Sequence, residues 1–375
     1  MENRVVGRLA AASIVALSMG LAAAPAQAGE KIANQWICVF KKDGVAKNEV
    51  AAKANAAARG QGGSVSHVYK NSIRGFAANM SEQGMTNMRR NNPKIAFCEQ
   101  DQVMTLGAAA KGKPGGGGTT QPAQTIPWGV ARVNGGSGSG FATAWVIDTG
   151  IDLDHPDLDV DTARSANFVA RESSPNDLNG HGTHVAGTIA ALNNTIGVVG
   201  VAPGAKVAAV RVLDRRGSGS NSGVIAGVDY VAGAAGAGDV ANMSLGGGVS
   251  TALDQAVINA AAGGTRFVLA AGNETDDANN HSPARAEGAN IFTVAAFAKN
   301  DVWASYSNYG SHVDWAEPGS AIPSTWINGG YNTISGTSMA TPHLAGILLH
   351  RATPAQSGTV TRTGTSEQYK IGAVN

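Results

Sequence analysis

Residues Ala144–Asp152 read AWVIDTGID, and with Thr143 in front they give an unbroken apolar run, Thr143–Ile147, that stops on a carboxylate, Asp148. A strand wet on one face alternates apolar and polar residues; a continuous run belongs to a strand covered on both faces. Similar runs recur at Lys206–Leu213, Val240–Leu245, Arg266–Ala271 and Asn290–Phe297. Helical periodicity fills the gaps. It is clearest over Thr251–Ala262, where Leu253, Ala256, Val257, Ala260 and Ala261 recur at helical spacing. Ser250 or Thr251 can cap that helix and Gly263-Gly264 can end it. Repeated strand–helix alternation predicts an α/β fold, a doubly wound, mostly parallel sheet with helices on both faces. Such sheets bind ligands beyond the carboxyl ends of their strands, so polar residues just after strands carry the expected chemistry.

Three segments meet that criterion. Asp148 directly follows an apolar strand, where a carboxylate is costly unless paired; elsewhere a capped turn Asp would explain it. Asn179–Gly187 reads NGHGTHVAG, with His181 between two glycines at the start of a helix expected over His181–Leu192. His181 and His184 have i, i+3 spacing, but no Cys and no H-E-x-x-H carboxylate accompany them, which argues against zinc. Ile334–His343 reads ISGTSMATPH; Ser338 opens an apolar helix in which Pro342 is expected within the first turn. Taken singly, Ser338 is an ordinary helix cap.

Together the segments give Asp, His and Ser in that chain order, each in a Gly-rich turn. With VIDTGI, GHGTHVAG and GTSMATPH, the sequence resembles the subtilisin-like serine proteases, nearest the proteinase K branch, over about residues 32–375. An α/β-hydrolase would need the serine first, within G-x-S-x-G. The resemblance implies a subtilisin-like fold and a serine endopeptidase. Ser338 would be the nucleophile, His181 the base and then the acid, and Asp148 the group that orients the imidazole. Asn273, in VLAAGNE, matches the side-chain donor of the oxyanion hole, with the Ser338 N–H as a second donor. Substrate contacts are implied at Gly217, Ser218 and Gly219 on one side and at Ser244, Leu245, Gly246 and Gly247 on the other. Ala270, Ala271 and Gly272 would line a roomy, uncharged slot. These imply broad endopeptidase activity with an apolar or aromatic P1 preference. The competing readings are a narrow-specificity processing protease, a dead binding protein and an esterase.

No cofactor is needed for such catalysis. A structural calcium is implied at Asp314, with carbonyls from about Glu287–Ile291. The acidic run IDLDHPDLDVD (151–161) lacks the Gly and terminal Glu of an EF-hand loop and reads as a solvated loop.

Upstream the character changes. The chain has 375 residues, 43% hydrophobic and 15% charged, with net charge +1, so a large core is possible and a basic nucleic-acid surface is not indicated. That neutrality hides a division: residues 29–122 carry 13 Lys and Arg against 6 Asp and Glu, and residues 123–375 carry 13 against 20. Arg4 and Arg8 precede an apolar run from Leu9 to Ala24, and Ala26-Gln27-Ala28 has a signal-peptidase pattern. Residues 1–28 therefore read as a cleaved secretory signal. The product is expected to be exported, with no membrane segment after removal.

Residues 29–106 read as β-α-β-β-α-β, the ferredoxin-like order. Strands are expected at Asn34–Lys41, Ser64–Lys70, Ile73–Met80 and Lys94–Leu106, and helices at Val45–Arg59 and from Ser81 to about Asn91. In that topology the first and last strands are neighbours, so Cys38 and Cys98, the only cysteines, can pair; two buried free thiols are the alternative. This unit resembles the subtilase inhibitory propeptide, which implies a precursor that cuts itself and an intramolecular inhibitor. Residues 107–124 are a Gly/Pro-rich linker that holds the processing site. Its GAAAKGK matches a phosphate loop only until Pro114, where Ser or Thr is required. Residues 125–375 are the expected catalytic domain, acting on polypeptides as a monomer.

Overall fold

The computed structural model describes residues 28–107, 121–170 and 172–375. The expected signal peptide, apart from Ala28, and linker residues 108–120 lie outside the described residues.

The N-terminal unit comprises β1 (Lys31–Phe40), α1 (Val50–Arg59), β2 (Ser64–Tyr69), β3 (Gly75–Asn79), α2 (Glu82–Asn91) and β4 (Ile95–Thr105). Its strands lie in the order β2-β3-β1-β4, the ferredoxin-like arrangement. Ser81 caps α2 by accepting from the Gly84 N–H. Helix α1 starts five residues later than expected, because Val45–Glu49 turns before entering it. Cys38 and Cys98 sit opposite each other on β1 and β4 and are bonded, which rules out the free-thiol alternative.

The second unit is built on a long sheet. Its central parallel strands are β5 (Ala144–Asp148), β7 (Val207–Arg211), β9 (Val240–Met243), β10 (Arg266–Ala270), β11 (Ile291–Ala298) and β13 (Trp315–Pro318). Its helices are the short α3 (Trp128–Arg132), α4 (His181–Ala190), α5 (Asn221–Ala234), α6 (Thr251–Ala262) and α7 (Thr337–His350), and β6 (Ala166–Asn167), β8 (Ser218–Ser220) and β12 (Val302–Trp303) are short strands between them. Strand β5 explains the layering: Val146 packs in one apolar cluster with Val185, Ile189, Leu344 and Ile347. Trp145 and Ile147 point into another with Val224, Val228, Leu253 and Val257. Both faces are covered, as the unbroken apolar runs require. Two hairpins complete the unit, β14 (Ile322–Trp326) with β15 (Gly330–Ile334), and β16 (Ala355–Thr361) with β17 (Gln368–Ala373). The second hairpin extends the sheet edge through β13–β17 pairing.

The two units are joined by polar docking. Asp101 accepts from the Ser222 N–H in the first turn of α5, and Glu99 accepts from the hydroxyl of Ser250, the cap of α6. Carboxylates are favoured at helix N-termini, where backbone donors lack partners. Asp229 on α5 accepts the N–H groups of Lys70, Asn71 and Ser72 in the β2–β3 turn.

Candidate active site

Asp148 ends β5 and is fully buried; His181 begins α4. His181 Nδ1 lies 2.9 Å from both Asp148 carboxylate oxygens. This contact needs α4 to approach the turn after β5 very closely. A methyl group at Gly182 would overlap the Gly150 carbonyl and stand 3.2 Å from Asp148 Oδ1. Gly180, just before the helix, has φ 110°, which glycine adopts without cost. Its Cα faces the Trp326 ring so closely that a methyl would overlap it.

A second carboxylate, unnoticed in the sequence, organises this turn. Asp177 is buried and accepts from Thr149 Oγ1, from the N–H groups of Asn179, Gly180 and Thr183, and from Thr183 Oγ1. Burial still pushes its pKa up, against the hydrogen bonds that pull it down. Only its position in DLNGHG, four residues before His181, could have signalled it.

His184 turns away from His181. Its Nε2 meets the Ile322 carbonyl at 2.9 Å, and burial lowers its pKa to about 3, so it is a neutral core histidine. Among the described residues no group of three or more potential metal ligands occurs.

Ser338 lies in the first turn of α7 and is 2% exposed. Its hydroxyl donates to the Ser244 carbonyl at 3.3 Å. Pro342 departs from expectation: it sits in the second turn, where an N–H would have bonded the Ser338 carbonyl. Ser244 Oγ supplies that missing donor at 2.9 Å. A side chain of the facing segment thus satisfies the Ser338 carbonyl that Pro342 leaves without a helical donor.

Asn273 follows β10. Its Oδ1 accepts from the Thr337 N–H at 2.8 Å and from Thr337 Oγ1 at 3.0 Å, which fixes the amide plane. Its Nδ2 is buried with no hydrogen-bond partner among the described residues, and His181 Nε2 is in the same condition. An unpartnered buried donor is unusual, and a donor aimed at charge that develops during a reaction is one reason for it.

Ser338 and Asn273 open on a cleft of about 1030 Å³, lined also by Gly217, Ser218, Leu245, Gly246, Gly247, Ala270, Ala271 and Gly272. Gly219, in β8 (Ser218–Ser220), pairs with Met104 and is not part of the lining, and neither is Ser244, which is buried against the Ser338 carbonyl. Arg216, Glu274 and His281 also reach the lining, so the cleft carries charge beyond the small residues expected to form its slot. The end of β4 and the residues that follow it form one wall of the cleft, through Thr105, Leu106 and Gly107. Val103, Met104 and Thr105 pair antiparallel with Ser220, Gly219 and Ser218, and Thr105 exchanges backbone hydrogen bonds with Gly246 on the other side.

Asp314 accepts from the Thr293 N–H and lines a second, more open cleft with Glu367 and Lys370.

The Subtilase family pattern matches residues 138–363. The chain belongs to the subtilase family. Alkaline serine exoprotease A of Vibrio alginolyticus is 44% identical over 296 residues, which cover 76% of this chain and 52% of that one. The chain therefore spans about half the length of that relative. The extracellular serine proteinase of Thermus sp. (strain Rt41A) is 43% identical over 289 residues, covering 76% of this chain and 68% of the relative. The crystal structure of a cold adapted subtilisin-like serine proteinase superposes with TM-score 0.58 at 42% identity, covering 66% of this chain and 98% of that one. The fold is subtilisin-like, and the protein groups with the subtilisin-like serine proteases.

Proposed function

We propose that the chain is a secreted serine endopeptidase made as a self-processing precursor. The observation that carries this reading is the backbone pairing of β4 in the cleft. An extended peptide lies there between two edges, Gly217–Ser220 and Gly246, with the unpartnered Asn273 Nδ2 and the Ser338 side chain on the same lining. Recognition through main-chain hydrogen bonds accepts many sequences, which favours broad specificity.

In the proposed mechanism Ser338 Oγ leaves the Ser244 carbonyl and attacks the substrate carbonyl carbon. His181 Nε2, with no competing hydrogen-bond partner among the described residues, takes the proton and later gives it to the leaving amine. Asp148, bonded at Nδ1, keeps the imidazole in the tautomer whose Nε2 can accept and stabilises the cation that forms. Asn273 Nδ2 and the Ser338 N–H donate to the oxyanion. Ala270, Ala271 and Gly272 leave room for an apolar or aromatic P1 side chain. No cofactor takes part.

The N-terminal unit, residues 29–106, is proposed to act as an intramolecular inhibitor, since β4 fills the strand position a substrate would take. Secretion is supported by the charged and apolar N-terminus of the sequence and by the extracellular relative. Among the described residues no helix is long and apolar enough to cross a membrane. A structural calcium beside Asp314 is proposed only with backbone carbonyls near Glu287–Ile291 as its further ligands, because no cluster of three or more potential side-chain ligands occurs among the described residues; Tm unchanged by a chelator would overturn it. The test of the main reading is hydrolysis of an unfolded protein by the processed enzyme. Activity that disappears in Ser338→Ala, whose precursor stays full length, supports it; hydrolysis by that variant overturns it.

A further inference from the structure

Strand β9 carries one residue out of keeping with its row. Val240, Ala241, Asn242 and Met243 alternate between the two faces of the sheet: Val240 joins the apolar cluster against α4 and α7, while Ala241 and Met243 join the opposite one. Asn242 therefore shares the face of Val240. Its register partners, Val146 on β5 and Val268 on β10, belong to that same cluster. Asn242 is fully buried. Its Nδ2 donates to Ser244 Oγ at 2.9 Å, and its Oδ1 has no partner among the described residues. A valine would continue the row without a buried, unpaired acceptor, which is costly. What asparagine supplies and valine cannot is the bond to Ser244.

Ser244 in turn meets Ser338 at two points. Its carbonyl accepts from the Ser338 hydroxyl at 3.3 Å, and its own hydroxyl donates to the Ser338 carbonyl at 2.9 Å. The helix gives that carbonyl no donor, because Pro342 stands where the N–H would be. A serine hydroxyl holds a single hydrogen. With Asn242 Nδ2 donating to the oxygen, that hydrogen is directed onto the Ser338 carbonyl. The peptide group between Ser338 and Met339 is thereby fixed on one side of the Ser338 Cα. On the other side, Asn273 Oδ1 holds the Thr337 N–H and hydroxyl.

We propose that Asn242 is a positioning residue for Ser338, acting through the Ser244 hydroxyl. This rests on the reading of Ser338 as the nucleophile. Asn242 touches neither substrate nor the reacting atoms; it aims a hydroxyl that fixes the peptide group next to the nucleophile. Without it the Ser244 hydroxyl is free to turn away, and the Ser338 carbonyl loses its donor. The nucleophile then loses its fixed line to the substrate carbonyl carbon. A misplacement of about 1 Å costs about 10²-fold in rate, and a freed rotor that still visits the right orientation costs about tenfold.

The experiment is steady-state hydrolysis of a chromogenic peptide by the processed enzyme, beside thermal melts. Active sites are counted by fluorophosphonate labelling with peptide mass mapping. The variants are Asn242→Val, Ser244→Ala and the two combined. In Asn242→Val, kcat per labelled site falls about tenfold, with KM within about twofold and Tm no lower than the parent's. In the Ser244→Ala background the same replacement has no further effect, because the side chain it acts through is gone. A kcat per site within about twofold of the parent overturns the proposal, even if Tm falls, since that marks a packing role alone. Equal fold losses in both backgrounds also overturn it, by removing the route through Ser244. Should Asn242→Val not fold, Asn242→Ala reads the same kcat and the same cycle. A parent enzyme labelled on a residue other than Ser338 is a failure of the nucleophile reading, and of the positioning with it. A parent labelled on Ser338 with an unchanged Asn242→Val is a failure of the positioning alone.

Discussion

Asn273→Ala separates two jobs of one side chain. The amide oxygen holds the Thr337 N–H and hydroxyl, and the amide nitrogen has no partner among the described residues. Truncation removes both. Loss of an oxyanion donor lowers kcat by about 10²–10³-fold, or about 2.7–4 kcal/mol, a range that derives from the corresponding side chain of subtilisin itself. Loss of the acceptor leaves the buried Thr337 N–H without its partner, at a cost of about 1–3 kcal/mol in stability. For a domain of this size, that cost corresponds to a Tm fall of roughly 2–4 °C per kcal/mol. Asn273→Asp keeps an acceptor for Thr337 but has no donor, so it should lose as much activity with a smaller fall in Tm. The assay is steady-state hydrolysis of a chromogenic peptide with an apolar P1 residue, beside thermal melts of both variants. An interaction made only in the transition state lowers kcat and kcat/KM together, with little change in KM. A kcat within about threefold of the parent in folded Asn273→Ala would refute the donor role.

Three other expectations follow from close packing and buried charge. Gly182→Ala would drive a methyl into the Gly150 carbonyl, forcing α4 away from β5; kcat should fall sharply through the Asp148–His181 contact, and an unchanged kcat would mean the turn yields freely. Glu317 on β13 is fully buried, and burial raises its pKa well above the usual carboxylate range. The folded protein holds that proton more tightly than the unfolded chain, so this group's contribution to stability is lost as the pH rises through the folded pKa. Glu317→Gln should therefore raise Tm more at alkaline than at acidic pH, and melts across that range showing the opposite order would contradict it. Asp229→Ala removes the acceptor for three N–H groups of the β2–β3 turn. Inhibition of the processed enzyme by the added N-terminal unit should weaken by about tenfold or more with kcat unchanged; equal inhibition constants would deny the docking role.

The parts of the fold legible in sequence are those that depend on local pattern. The apolar run ending at Asp148 located β5 within one residue, and the periodicity of Thr251–Ala262 with its Ser250 cap matched α6. The N-terminal β-α-β-β-α-β order followed from turns and alternation, and it brought Cys38 opposite Cys98. What stayed hidden depends on partners far along the chain. Pro342, in the second turn of α7, leaves the Ser338 carbonyl without its helical donor, and Ser244, 94 residues before Ser338, supplies one. Asp177 looks like a loop residue until Thr149, 28 residues before it, folds over it. Asp229 reads as one charge on an apolar helix, and its meaning comes from a turn 157–159 residues upstream. The hairpin of β16 and β17 carries mostly exposed polar residues on its first strand, so apolar patterning gave no sign of it. Glu274 directly follows Asn273 in sequence, yet only the folded cleft brings it to the lining.

The central claim is that Ser338, activated by His181, is the nucleophile of this subtilase. The most direct measurement is titration of the processed enzyme with a fluorophosphonate, followed by peptide mass mapping. The account predicts one phosphonyl group per molecule, on Ser338, with hydrolytic activity lost in proportion to labelling. Full activity after complete labelling of Ser338, or inactivation with the label on another residue, would contradict it.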